Sequence, residues 1–178
     1  ITAICKSKIP FKKITISPRN KNKAKYLKKK FRSKIVIAKN NQEVVNNSNW
    51  LFLGVLPEVG NKILPKLSFK SSQTIISFMS TIKLNQLKKI TNKKSKIIRA
   101  IPMPPISLGK GPIAIYPPNK KVKNFFNKIG TSIEIKNEGL SNNFWAISGT
   151  MASFYEILKV LSDWQVKKGI KRSDAQKY

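Results

Sequence analysis

Between residues 14 and 136, short apolar, β-branched runs alternate with segments of helical spacing, and this alternation restricts the possible folds more than any other feature. The runs are "KITI", "KIVIA", "WLFLGVLP", "TIISFMS", "KIIRAIP", "PIAIYP" and "SIEIK". Between them lie "KNKAKYLKKKF", where Ala24, Leu27 and Phe31 share a helical face behind an Asn20 cap, then "NQEVVNN", a segment from Pro57 to about Leu67, "LNQLKKI", and "KKVKNFFNKIG", closed by Gly130. "WLFLGVLP", ending at Val55-Leu56-Pro57, is apolar at successive positions. That is the pattern of a strand covered on both faces. Strand and helix in alternation predict an α/β, doubly wound parallel sheet.

After "NEGLSNN" the period changes. Residues 144–168 predict one long helix, in which Ile147, Met151, Phe154, Leu158 and Leu161 recur at steps of four and three. Tyr155, Ile157, Val160 and Trp164 widen the apolar face, so this helix has to be covered on more than one side. Gly169 ends it, and the Ser173–Gln176 spacing of "SDAQ" predicts a capping box and another helix. The expected domains are residues 1–138, a nucleotide-binding sheet, and 139–178, the start of an all-α domain.

A doubly wound dinucleotide-binding sheet carries a Gly-rich turn after its first strand. Here "ITI" follows what reads as a helix tail, "ITAICKSKI", and leads into "SPRN" with no glycine turn. The expectation is therefore a Rossmann-like sheet lacking its first strand and that turn. A helix announced two residues before the last residue points to a chain cut at both ends.

Composition narrows the partners. The net charge is +29, from 36 Lys and Arg against 7 Asp and Glu. Two readings are open, a nucleic-acid face or a compositional bias. Only Arg19, Arg32, Arg99 and Arg172 are arginines, the better bidentate readers of phosphate, and the lysines run the whole length beside Asn and Ile. That favours the compositional reading, with no specific nucleic acid as partner. With no His and one Cys, metal sites of the common zinc types are excluded and no intramolecular disulfide can form. Cys5 reads as a small buried side chain, and its solitude fits the reducing cytoplasm. No apolar run approaches the roughly 18–20 residues that span a bilayer.

Two stretches carry candidate chemistry. "ITISPRN" ends a strand in Ser17, Arg19 and Asn20 with no acidic residue. In a nucleotide-binding sheet that end faces the adenosine ribose, where an acid suits the 2′-OH of NAD, and cation plus hydroxyl suit the 2′-phosphate of NADP. A plain turn and helix cap is the other reading. "IIRAIPMPPISLGKGPIAIY" stiffens itself just past a strand end, with four prolines and two glycines from Pro102 to Pro112. Fixed φ angles hold such a loop still and glycines let backbone approach a ligand. A rigid connector without ligand remains the alternative.

Taken in order, "SPRN", "NNQEVV", "LFLGVLP", "TIISFMSTI", "IIRAIPMPPISLGKG" and "SGTMASFYEILKVLSDWQVKKGI" resemble the pyrroline-5-carboxylate reductase family, over nearly the whole length. The resemblance implies NADP(H) as cofactor, a small imine as substrate, and dimers or higher oligomers built through the C-terminal helices. It implies Ser17, Arg19 and Asn20 at the 2′-phosphate, Asn41 at the adenosine ribose, and Val55, Pro57, Ile101 and Pro102 beside the nicotinamide. The family's Met-Pro-Asn-Thr-Pro segment matches Ile101–Pro105. Its Ser-Gly-Ser-Gly-Pro-Ala segment matches Ser148–Ser153, which implies Ser148, Gly149 and Thr150 at the substrate. Three departures stand out: Leu56 where the family has lysine, Met103 where it has asparagine, and Met151-Ala152 where it has Gly-Pro. Glu58, Glu134, Glu138 and Glu156 form no carboxylate pair at a catalytic spacing, so no catalytic residue is assigned.

Overall fold

The computed structural model describes residues 1–92 and 94–178, with Trp145 described by its backbone alone. It divides into two compact units, Ile1–Ser141 and Asn142–Tyr178.

The first unit runs α1 (Thr2–Lys6), β1 (Ile14–Ile16), α2 (Lys21–Phe31), β2 (Ile35–Ile37), α3 (Asn41–Asn46), β3 (Trp50–Leu53), α4 (Pro57–Ile63), β4 (Thr74–Ser77), α5 (Leu84–Ile90), β5 (Lys96–Pro102), β6 (Pro112–Tyr116), α6 (Lys120–Phe126) and β7 (Thr131–Glu134). Three helices start where an Asn side chain accepts an orphan backbone N–H. Asn20 accepts Lys23 N–H, Asn40 accepts Glu43 N–H and Asn119 accepts Val122 N–H. α4 starts differently, with Pro57 at its first turn, where the missing N–H costs nothing. The apolar strand expected to reach Pro57 therefore stops at Leu53.

The sheet is in two pieces, β1-β2 and β3-β4-β5-β6-β7. β1-β2, β3-β4, β4-β5 and β6-β7 are parallel. Leu53 and Asn49 present their C=O groups to Phe78 and Thr74 on the β4 side. Strand periodicity then turns the N–H and C=O of Trp50 and Phe52 to the other edge of β3. Among the described residues, β3 pairs with β4 alone. The doubly wound parallel fold is as predicted, with one exception: β5 and β6 are antiparallel. The connection Met103–Gly111 is too short for a parallel crossover, which needs a dozen or more residues.

Both faces of the five-stranded sheet are covered. Ile76, Ile98, Ala100, Ile113 and Ile115 pack on one side with Val122 and Phe126 of α6. Leu51, Leu53, Ile75 and Ile97 pack on the other with Val45, Leu64 and Leu87 from helices α3 to α5 and their flanks. Neighbours such as Ile75 and Ile76, both 0 % exposed, serve opposite faces, which is why the run carries no alternation. A smaller cluster of Cys5, Ile16, Ala24 and Ile35 holds β1 and β2 to α2. α6 ends at Phe126 rather than Gly130, because Asn127 caps it and donates back to Lys123 and Phe125 carbonyls.

Glu134 closes the β7 side of α6. Its carboxylate accepts Lys123 Nζ at 2.9 Å and Asn119 N–H at 3.1 Å, and the lysine holds its carboxyl below the ordinary glutamate range. A depressed folded-state value means stabilisation present at neutral pH and lost as pH falls through the carboxylate range. Thermal melts from pH 7 to pH 3 should show the midpoint falling, with a shallower fall for Glu134→Gln. Parallel curves for the two proteins would exclude this carboxylate as a contributor.

The second unit holds α7 (Ser141–Gly149, whose first residue closes the first unit), α8 (Met151–Lys167) and α9 (Arg172–Ala175). The single helix expected over 144–168 is two helices. Thr150 separates them, its hydroxyl bonded back to Ile147 C=O at 2.7 Å. Gly169 follows α8 with φ +94°, a conformation that suits glycine. The expected "SDAQ" cap shifts as well: Lys171 is the N-cap, and Ser173 lies inside α9. The apolar face is present, and the helices of its own unit leave it exposed, with Ile147 69 %, Leu161 56 % and Trp164 59 % exposed.

Candidate active site

Parallel strands collect ligands at their C-terminal ends. In the first unit those ends include Ile16, Leu53, Ser77 and Pro102, and each of these four opens into a different kind of loop.

At the end of β1, Ser17 Oγ donates to Asn41 Oδ1 at 2.7 Å and accepts Arg19 N–H at 3.3 Å. The first bond joins residues 24 positions apart, so the end of β1 meets the first residue of α3. Arg19 and Asn20 are exposed, and Asn20 spends its side-chain oxygen on capping α2. The result is a hydroxyl, an amide and an exposed guanidinium on one strand end with no carboxylate among them. That donor set fits a phosphate on a ribose, and it lacks the acid a free ribose 2′-OH calls for.

After β3 the chain turns through Gly54 and Val55. Val55 packs with the Leu51, Leu53 and Met79 cluster, while Leu56 is 68 % exposed. Pro57, half-buried, begins α4. After β4, Ser77 Oγ accepts Met79 N–H at 3.2 Å and turns the chain at once. After β5, Ile101 and Pro102 pair with Ala114 and Ile113 of β6. Pro104–Leu108 then form a 3₁₀ turn that Gly109 ends in the left-handed region, φ +76°. Gly111 follows with φ +99° and its C=O accepts Thr131 N–H at 2.9 Å. Two of the prolines, Pro104 and Pro105, and both glycines thus build a tight reversal between antiparallel strands, placed at the rim of the crevice.

Ser148, Gly149 and Thr150 belong to the second unit, around the α7–α8 break. The Ser148 hydroxyl donates to Phe144 C=O at 2.9 Å, and the Thr150 hydroxyl to Ile147 C=O. Gly149 is exposed. Cys5 is buried, and burial pushes its thiol above the ordinary range, away from the nucleophilic thiolate.

One group escaped the sequence reading. Arg99, in the middle of β5, is 2 % exposed and pairs with Glu138 Oε1 at 2.6 Å. Its other terminal nitrogen donates to Ser80 C=O at 2.5 Å, and Glu138 Oε1 also accepts Leu84 N–H at 2.7 Å. The signal available was a lone charge inside the apolar run "KIIRAIP".

Known proteins resemble this chain in sequence and in fold. Residues 2–81 match a family described as NADP oxidoreductase, coenzyme F420-dependent. The pyrroline-5-carboxylate reductase of Synechocystis is 29 % identical over 161 residues, covering 85 % of this chain and 59 % of the relative. The chain thus spans under two thirds of that relative's length. The 1-pyrroline-5-carboxylate reductase of Streptococcus pyogenes superposes with a TM-score of 0.80 at 22 % identity, over 99 % of this chain and 70 % of that one. The Plasmodium falciparum pyrroline carboxylate reductase, with NADP bound, superposes with a TM-score of 0.80 at 21 % identity, over 99 % and 67 %. Fold and likeness together give the class, the NADP-binding oxidoreductases, that this chain resembles. Within that class, the relatives and structures this chain is similar to are pyrroline-5-carboxylate reductases.

Proposed function

We propose that the protein of which this chain forms at least part reduces 1-pyrroline-5-carboxylate to proline with NADPH, in the cytoplasm and as a homo-oligomer. The observation that carries the cofactor half of this reading is the Ser17–Asn41 bond with exposed Arg19 beside it. When bound, NADPH supplies the hydride that adds to the imine carbon. The chain's own residues hold and exclude. Arg19, Ser17 and Asn20 take the 2′-phosphate, Asn41 the ribose, and the backbone of Val55, Pro57, Ile101 and Pro102 borders the nicotinamide. The Met103–Gly111 reversal supplies a stiff wall, since hydride transfer needs two rings held close and dry more than it needs acid–base side chains. Ser148, Gly149 and Thr150 are the chain's contribution to the imine pocket, through backbone groups where the hydroxyls are already engaged. The uncovered face of α7 and α8 is the surface through which two copies join.

Arg19→Glu tests the cofactor half. The KM for NADPH should rise about 10- to 100-fold while that for NADH changes little, because a charge-assisted phosphate contact becomes a repulsion. Equal effects on both cofactors would remove Arg19 from the phosphate site. The substrate half is tested by turnover of pyrroline-5-carboxylate against other imines and ketones. Exposed Leu56, with Met103 and Met151-Ala152, favours a second reading, a reductase of a different imine or ketone, if pyrroline-5-carboxylate is inert.

A further inference from the structure

We propose that Glu138, acting through Arg99, is a positioning residue that braces the β4–α5 loop at the mouth of the cofactor crevice. The proposal rests on the reading of the first unit as an NADPH site.

The loop, residues 78–83, follows the central strand of the three parallel strands β3, β4 and β5, at their C-terminal edge. Its first two residues are tied back, Phe78 N–H to Leu53 C=O at 3.0 Å and Met79 N–H to Ser77 Oγ at 3.2 Å, and the rest has less. Ile82 N–H reaches Met79 C=O at 3.4 Å, and Lys83 N–H reaches Gln86 Oε1 at 3.1 Å. One ion pair grips both sides of it. Arg99 donates to Ser80 C=O near its start, and Glu138 accepts Leu84 N–H at its end. The Glu138 carboxylate and the Arg99 guanidinium close the brace at 2.6 Å. Glu138 is itself held in a 3₁₀ turn whose N-cap, Asn137, accepts Gly139 N–H at 2.7 Å. The charge therefore reaches the loop from a point 39 residues beyond Arg99 in the chain, next to the last residues of the first unit.

Packing alone does not call for this pair. Ile97, Ile98 and Ala100 flank Arg99 and are all at most 5 % exposed. Apolar side chains in place of a buried pair are commonly as stable or more so, whereas removing one partner leaves a stranded charge. What apolar replacements cannot do is hold a specific carbonyl and a specific N–H on opposite sides of one loop.

That difference separates a positioning role from a structural one. In the protein made from its complete reading frame, the double variant Arg99→Met/Glu138→Met should melt within a few degrees of the parent. Its NADPH dissociation constant, read by fluorescence, should rise about tenfold, because a displaced crevice loop misplaces the ligand. Leu84→Pro is the second variant. Proline is tolerated at a first helical position and follows an extended Lys83, so the change removes the N–H that Glu138 holds together with the packing of the half-buried Leu84 side chain, and Leu84→Ala, which keeps the N–H, is its control. Leu84→Pro should raise the NADPH dissociation constant with the ion pair intact. Conservative Glu138→Asp should bind NADPH more tightly than Glu138→Gln. Parental NADPH affinity in both the double variant and Leu84→Pro would overturn the proposal. If the parent binds no NADPH, the cofactor reading itself falls, and the proposal with it.

Discussion

Phe126→Ala destabilises the first unit by about 3–5 kcal/mol, the cost of emptying a large aromatic from a core that cannot collapse around the gap. Phe126 is 2 % exposed at the last turn of α6. It packs with Ile113, Ile115, Val122 and Ile129 and meets the Phe125 ring edge-on at 5.2 Å and 81°. Of these neighbours, Ile113 and Ile115 are β-branched residues of β6, fixed by the ladder and unable to move inward. Phe126→Leu, which keeps most of the volume, should cost less than about 1.5 kcal/mol. Urea unfolding of the two variants reads the difference directly. If both fall equally, the loss comes from the helix end and not from a cavity.

Gly130→Ala is the second large effect, about 1–3 kcal/mol and at the upper end of that range. An added Cβ meets Ile113 Cδ1 at 2.5 Å and Gly111 C=O at 2.6 Å. The carbonyl is backbone, and it already accepts Thr131 N–H at 2.9 Å. To make room, the β6–β7 ladder has to part where the Pro/Gly reversal re-enters β6. Gly60→Ala is the control. Its Cβ comes equally close to a neighbour, 2.6 Å, but that neighbour is the Met79 sulfur. A flexible thioether can rotate aside, so the cost there is small. Similar losses at the two positions would show that the closeness of the contact decides, and not whether backbone or side chain must move.

Much of the fold was legible in the residues, because the properties concerned are local. The period of the apolar residues set strand against helix. Asn20 marked a helix start through a bond that spans three residues. The acid-free "SPRN" was visible at a strand end for the same reason. The misread boundaries also have local causes. Pro57 fits the end of a strand or the first turn of a helix equally well, and Thr150 breaks a helix without disturbing its apolar spacing.

What tertiary structure alone decided involves partners far apart in the chain. Direction is one case: "PIAIYP" reads the same in a parallel or an antiparallel pair, and the shortness of Met103–Gly111 makes it antiparallel to β5. Partnership is another. Ser17 and Asn41 were each singled out, but only the packing of α3 beside β1 joins them. Arg99 and Glu138, 39 residues apart, carry no mutual signal at all. An apolar stripe on α8 is likewise identical in sequence whether covered or bare, and the second unit's own helices leave it bare. Period and capping are written residue by residue, whereas the neighbour of a side chain is set by where the whole chain returns.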